Sequence, residues 1–333
     1  MVVQAVSLGK YTFWRFATEQ TQAMSSKGSC SHGDLGGFRR GDAVTVRSFG
    51  EILATLDSNA ALESLPFMPE MTPFCGKTFR VHRRAEKTCV EGAGMRDMSN
   101  TVFLEGLRCD GSAHGGCQRG CLFFWKEAWL KPADPTHQND DPQAELPDAA
   151  MVAQLPVLKG DDYYCQSTEL ARATSEFSRG KLQCYFRDLR IGEITLRRFG
   201  YVLWLALANR VWRLLRGRGY HQITGEQKKT LSEELDLQPG ELVEVKSPAE
   251  IEATLDAKGR NRGLSFEPEM ALHCGRRYRV GTPVHTIIVE ENGKLAQLSN
   301  TVILENLVCQ GICVKNCPRA NYLYWREIWL KRV

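Results

Sequence analysis

Three cysteines and a histidine crowd the stretch RCDGSAHGGCQRGC, residues 108–121, and the stretch VCQGICVKNCPRAN, residues 308–321, again carries three cysteines. In both, the first and last of one Cys-x7-Cys pair recur: Cys109 with Cys117, and Cys309 with Cys317. A further cysteine lies upstream on a separate segment of each copy, Cys75 in the first and Cys274 in the second. The remaining thiol moves, from Cys121 in the first copy to Cys313 in the second, and His114 belongs to the first alone. Thiolate and imidazole are the donors a tetrahedral soft metal takes. The pattern therefore predicts ligand sets of Cys75, Cys109, His114, Cys117 and Cys121 in one copy, and Cys274, Cys309, Cys313 and Cys317 in the other. The ion expected is Zn2+ or Fe, and no organic cofactor is predicted. Neither copy has the Cys-x2-Cys knuckle usual in structural zinc sites, whereas iron–sulfur ligation tolerates varied spacing. Two other readings stay open: buried thiols that close a small core, and disulfide or redox pairs. CDGSAH is near the CDGSH iron–sulfur signature, but the extra alanine and the missing upstream Cys-x-Cys argue against that class.

A second constellation lies between the copies, in DDYYCQSTELARATS, residues 161–175. Cys165 and Glu169 stand one helical turn apart, and His221 is the histidine that could approach them, which makes these three the catalytic candidates. Packing is the competing role for a cysteine beside tyrosines. No Walker loop, dinucleotide fingerprint, nucleophile elbow or His-Glu-x-x-His is present. Glu70 and Glu269, repeated in PFMPEM and SFEPEM, read as parts of a structural turn, and the WKEAW and WREIW strands as core.

These residues sit on a repeat. Residues 41–81 align without a gap on 240–280, and 99–131 on 299–331, with close to half of the positions identical in each stretch. Two homologous modules follow, 41–131 and 240–333. Within the second, ELVEVK, RRYRV, HTIIVE and LAQL read as strands, with hairpin-turn chemistry at Glu291-Asn292-Gly293-Lys294. Ser247, Pro248 and Glu250 open a short helix as N-cap, first residue and capping-box partner. The fold class expected is mainly β with an α insert (α+β), each module being a small SH3-like β-barrel. The remaining segments are an N-terminal extension, 1–40, an acidic proline-rich linker, 132–150, and a helical insert, 151–239. In the insert, residues 193–216 read as a basic amphipathic helix with Leu196, Phe199, Leu203, Leu207, Val211 and Leu214 on one stripe. That stripe either packs between the modules or lies on anionic lipid.

Composition bounds the function. The 333 residues are 43% hydrophobic and 25% charged with a net charge of +4, and mean hydropathy is −0.32. So small a charge argues against nucleic acid as partner. Without a signal-like N-terminus or a spanning apolar run, the expected location is cytoplasmic, peripheral to the membrane if the helix touches lipid.

The stretches NTVFLEGLRCDGSAHGGCQRGCLFFWKEAWLK, YYCQSTEL and GRNRGLSFEPEM…CGRRYRV…YWREIWLKRV resemble a group of bacterial tandem SH3-like, cysteine-motif proteins encoded near natural-product or polysaccharide biosynthesis genes. The resemblance spans roughly residues 41 to 333. It implies an accessory or tailoring role and transfers no catalytic residue. Two functions are therefore expected in competition. One is a metal-binding tailoring or accessory enzyme with its site in the first module near the inter-module cleft, acting on a small-molecule substrate. The other is a non-catalytic scaffold with structural metals that grips a biosynthetic partner protein.

Overall fold

The computed structural model describes residues 4–8, 11–15, 37–134, 148–177, 186, 188–189, 192–217, 219, 221–312 and 315–333. The chain forms two compact bodies, Met1–Gly37 and Phe38–Val333. In the first, Gln4–Leu8 pairs antiparallel with Tyr11–Arg15. The second holds both cysteine-rich stretches and is mostly β-sheet with few helices.

Two five-stranded antiparallel sheets dominate it, with matching strand orders. The first runs Trp125–Lys126, Thr101–Leu104, Thr78–Arg84, Ala43–Val46, Leu130–Pro132; the second runs Tyr322–Arg326, Thr301–Val308, Arg277–Pro283, Leu242–Val245, Leu330–Arg332. In each, the two edge strands are consecutive in sequence, joined by the 3-10 turn Glu127–Trp129 or Glu327–Trp329. The central strand breaks register at Val81/Arg83 in one sheet and at Val280/Thr282 in the other. Such a bulge bends the sheet. The sheets are open: the described strands close no barrel.

Local chemistry explains the matched turns. Ser48 and Glu51 form a reciprocal capping box at the helix Phe49–Leu53, as Ser247 and Glu250 do at Pro248–Glu252. This is the start signal read from the sequence. Asn100 and Asn300 each sit at φ 50°, and their carbonyls accept from Glu127 N and Glu327 N. Asparagine tolerates that left-handed conformation better than most residues. The repeated Ser-Asn-Thr is therefore a turn, not a site.

The four tryptophans of the repeated WKEAW and WREIW, Trp125, Trp129, Trp325 and Trp329, are fully buried. Trp129 Nε1 donates to Thr55 Oγ1 and Trp329 Nε1 to Thr254 Oγ1, both at 3.0 Å. Phe67 packs edge-on against Trp129 at 5.4 Å between ring centroids, and Phe266 against Trp329 at 5.2 Å. Such pairs contribute beyond the area they bury. These strands are core.

Beyond each sheet a hairpin reaches into the opposite half. Lys87–Val90 with Gly94–Asp97 packs on the second cysteine stretch, where Cys89 N donates to Cys317 Sγ at 3.2 Å and Arg319 Nη1 to the Cys89 carbonyl at 2.9 Å. Thr286–Ile288 with Leu295–Gln297 packs on the first: Ile288 N donates to Cys117 Sγ at 3.3 Å and Arg119 Nη1 to the Ile288 carbonyl at 2.8 Å. The exchange is reciprocal, so the cysteine stretches form the joint between the halves.

The insert supplies the long helix Leu196–Arg216, capped by Thr195 and ended by Gly217 at φ 69°. It contributes a second anchor in the short helix Gln166–Glu169. The Gln166 side chain is buried in the first half: its Nε2 donates to the Pro66 and Phe124 carbonyls, and its Oε1 accepts from Phe124 N. That pairing satisfies the amide where an unmet one would cost about 1–3 kcal/mol. It holds YYCQSTEL against the joint.

Candidate functional site

The first cysteine stretch is a tight loop closed on its own backbone. Cys109 N donates to the Cys121 carbonyl at 2.8 Å, and Gly116 N to the Gly111 carbonyl at 3.0 Å. Gly111 has φ +70°, and a Cβ there would come within 2.1 Å of the Cys117 carbonyl oxygen. Only glycine fits such an approach. Gly311 repeats the arrangement in the second stretch, where a Cβ would come within 2.3 Å of the Cys317 carbonyl oxygen.

Inside the first loop lies a cavity of about 30 Å³. Four thiols line it: Cys109, Cys117 and Cys121 from the loop, and Cys165 from the insert. His114, Arg119 and Arg319 also face it, with Ile288 from the exchanged hairpin. Segments far apart in sequence thus meet at the joint of the two halves. Burial pushes the Cys165 thiol up to about 11 and also raises Cys109 and Cys117. Without a cation these three are protonated at neutral pH, so they are weak nucleophiles.

Two arginines are buried at this joint. Arg319 is 4% exposed and Arg119 is 8% exposed. Glu290 is the buried carboxylate between them, 2.6 Å from Arg319 Nη2 and 3.5 Å from Arg119 Nη2. It also accepts from Ser167 Oγ at 2.9 Å and from Glu91 N at 3.0 Å. Arg119 has a second carboxylate partner, Glu91, at 2.8 Å, whose side chain is 49% exposed. Arg319 Nε is buried with no hydrogen-bond partner. A buried donor left in that state lacks an acceptor that a native site normally supplies.

His114 faces the cavity with both ring nitrogens engaged. Nδ1 lies 2.6 Å from Glu70 Oε1, and Nε2 lies 3.0 Å from the Tyr164 carbonyl. A carbonyl only accepts, so Nε2 carries a proton and donates. Burial works against a charged ring, but the Glu70 hydrogen bond and charge, with the Tyr164 carbonyl, outweigh it and raise the His114 pKa. With both nitrogens engaged, the ring is held in place and is not a free donor. A pKa raised in the folded state contributes stability fully below the unfolded value, about 6.5, and that contribution is lost as pH rises through the folded value. His114→Gln is expected to cost about 1–3 kcal/mol at the acidic end of that window. Thermal melts across neutral pH check this: the wild type should lose stability with rising pH and the variant should show a flatter profile.

The other sequence-derived candidates fall elsewhere. Cys75 and Cys274 end the 3-10 turns Pro69–Phe74 and Met270–His273; burial raises both to about 12, and neither lines the cavity. Cys309 sits 3.6 Å from Glu269 Oε2, and Cys317 sits 3.1 Å from Cys89; Cys313 lies outside the described residues. Glu70 and Glu269 are buried loop clamps: Glu70 accepts from Ala113 N, and Glu269 from Gln310 N and Ile312 N. Of the catalytic candidates, Cys165 lines the cavity, Glu169 pairs with Arg172 at 2.7 Å, and His221 does not line it. Burial lowers the His221 pKa to about 4. Cys165 and His114, not His221, share the site. The residues missed from sequence are Arg119, Arg319, Glu290 and Cys89; the repeat of Arg119 at Arg319 was the available signal.

Among the described residues, no group of three or more His, Cys, Asp or Glu side chains is disposed to hold a metal ion. The four thiols surround a space instead of converging on a point. No family model, curated protein or solved structure matches the chain.

Proposed function

We propose that this chain is a metal-binding accessory or tailoring protein of bacterial biosynthesis, and that its centre is an iron–sulfur cluster held by Cys109, Cys117, Cys121 and Cys165. The observation that carries the reading is four thiols around one small cavity beside two buried guanidiniums. In a cluster the four cysteines are shared among two or four irons, so the ligand sulfurs need not converge on one point as they do on a single zinc ion. Thiolate ligation makes the group anionic, which suits Arg119 and the unpartnered Nε of Arg319. Raised thiol pKa values are compatible with this, because metal binding displaces the protons. The matched open sheets are read as diverged copies of one SH3-like module, the first carrying the cluster.

The test is iron and acid-labile sulfide content, with the visible absorption spectrum, of anaerobically purified and reconstituted full-length protein. Iron and sulfide in equal amounts are expected, lost in Cys121→Ser and Cys165→Ser and retained in Cys75→Ser. Zinc without sulfide, or a metal content that Cys165→Ser leaves unchanged, overturns the cluster. Protein that stays metal-free after reconstitution overturns the metal reading altogether. The alternative role, a scaffold without chemistry, would then stand on the joint alone.

A further inference from the structure

The helix Leu196–Arg216 spans about 32 Å at 1.5 Å per residue, and among the described residues its buried apolar side chains lie on one side. Val202 and Leu205 are each 1% exposed. Arg198, on the same side, donates from Nε to Asn316 Oδ1 at 3.1 Å and from Nη2 to the Gln310 carbonyl. The opposite side is apolar and exposed: Leu196 is 74% exposed, Leu207 61%, Leu214 81% and Leu215 75%, with Leu203 and Val211 also exposed. Spacings of three, four and seven residues align Leu196, Leu203, Leu207, Val211 and Leu214 along one stripe. Exposed arginines flank it, Arg197 on one edge and Arg210 with Arg213 on the other, and the helix contains no Asp or Glu.

We propose that this face lies flat on an anionic lipid bilayer, the leucines and Val211 in the headgroup–acyl boundary and the three flanking arginines on lipid phosphates. An apolar face with basic edges is what an interfacial helix presents. No helix among the described residues is long and apolar enough to cross a membrane, so the contact is peripheral. A second copy of the chain is the poorer occupant, because self-pairing would bring two arginine-edged, carboxylate-free helices together. Anionic headgroups relieve that repulsion and a bilayer accepts the leucines.

The experiment is flotation of the full chain with vesicles of phosphatidylglycerol and phosphatidylcholine, against phosphatidylcholine alone. Binding to the anionic vesicles is expected, weakening with added salt. Leu207→Glu with Leu214→Glu should abolish it. Arg210→Gln with Arg213→Gln should weaken anionic binding roughly thirtyfold and leave the residual binding to neutral vesicles unchanged. All four side chains are exposed, so an unchanged melting temperature verifies that the variants fold. Absence of vesicle binding, binding that the leucine variant retains, or a solution dimer that the leucine variant dissociates without any flotation of the wild type would each overturn the proposal.

Discussion

Replacing Glu290 with alanine is expected to cost about 3–5 kcal/mol of folding stability, read from urea denaturation as a fall in midpoint. The magnitude comes from what is left behind. Glu290 is 4% exposed and lies within 3.5 Å of both Arg319 and Arg119. Without it, two guanidiniums remain at the joint with only the half-exposed Glu91 to offset them. A buried ion pair is weak evidence for net stability, but removing one partner strands the other. A loss of that size is a large share of the 5–15 kcal/mol typical of a domain. Burial works against the charged carboxylate, yet Arg319 and then Arg119 hold its pKa below the ordinary value. The contribution is therefore present above the unfolded value, about 4.3, and is lost as pH falls through the folded one. Glu290→Gln should flatten that acid limb. The same variant bears on the cavity: if an anionic cluster sits beside Arg319, Glu290→Ala should cost less in the reconstituted protein than in the metal-free protein. Equal losses in the two forms would separate the charge cluster from the thiol site.

Local chemistry was legible in the sequence and tertiary exchange was not. The capping box at Ser247 and Glu250, the hairpin turn at Asn292-Gly293 and the core role of Trp325 and Trp329 depend on residues close in the chain, or on a side chain's need for burial. Their repetition made them plain. Cys165 is different, because its place beside Cys109, Cys117 and Cys121 depends on Gln166 docking onto Phe124 and Pro66. No spacing rule encodes that contact. Cys75 and Cys274 each end a 3-10 turn away from the cavity, a placement that their recurrence in sequence does not reveal. His114 has metal-ligand chemistry in sequence, but Glu70 and the Tyr164 carbonyl take both its nitrogens. In the central helix, periodicity located the segment and the apolar stripe. Packing then used the other side, where Arg198, Val202 and Leu205 meet the body of the protein.

The second large effect is expected at Cys89 and Cys317. Their sulfurs are 3.1 Å apart, so about 1 Å of approach would reach disulfide length. The contact with Cys89 lowers the Cys317 thiol below its ordinary value, with the backbone N–H groups of Arg319 and Cys89 and the Arg319 charge adding to it against burial. Cys89 moves the opposite way, raised first by its pairing with Cys317 and then by burial. The two shifts run in opposite directions, so Cys317 is the sulfur of the pair that gives up its proton first. Hydrogen peroxide should convert the Cys317 thiolate to a sulfenic acid with release of hydroxide, and Cys89 should then displace water to form the disulfide. Because the bond would join segments from opposite halves, it closes a loop of more than two hundred residues, and chain entropy allows up to about 5 kcal/mol of added stability. Peroxide-treated protein should run faster on a non-reducing gel, revert with dithiothreitol and melt at a higher temperature, and Cys89→Ser and Cys317→Ser should abolish all three changes. Because Ile288 stands opposite Cys117 where Cys89 stands opposite Cys317, the other half of the exchange has no such bond to form. Oxidation should then lock one arm of the joint and leave the arm that borders the thiol cavity free, so any metal bound there should survive peroxide at doses that complete the cross-link. Loss of metal in step with cross-linking would instead mean that the two thiol clusters communicate through Arg319, which touches both.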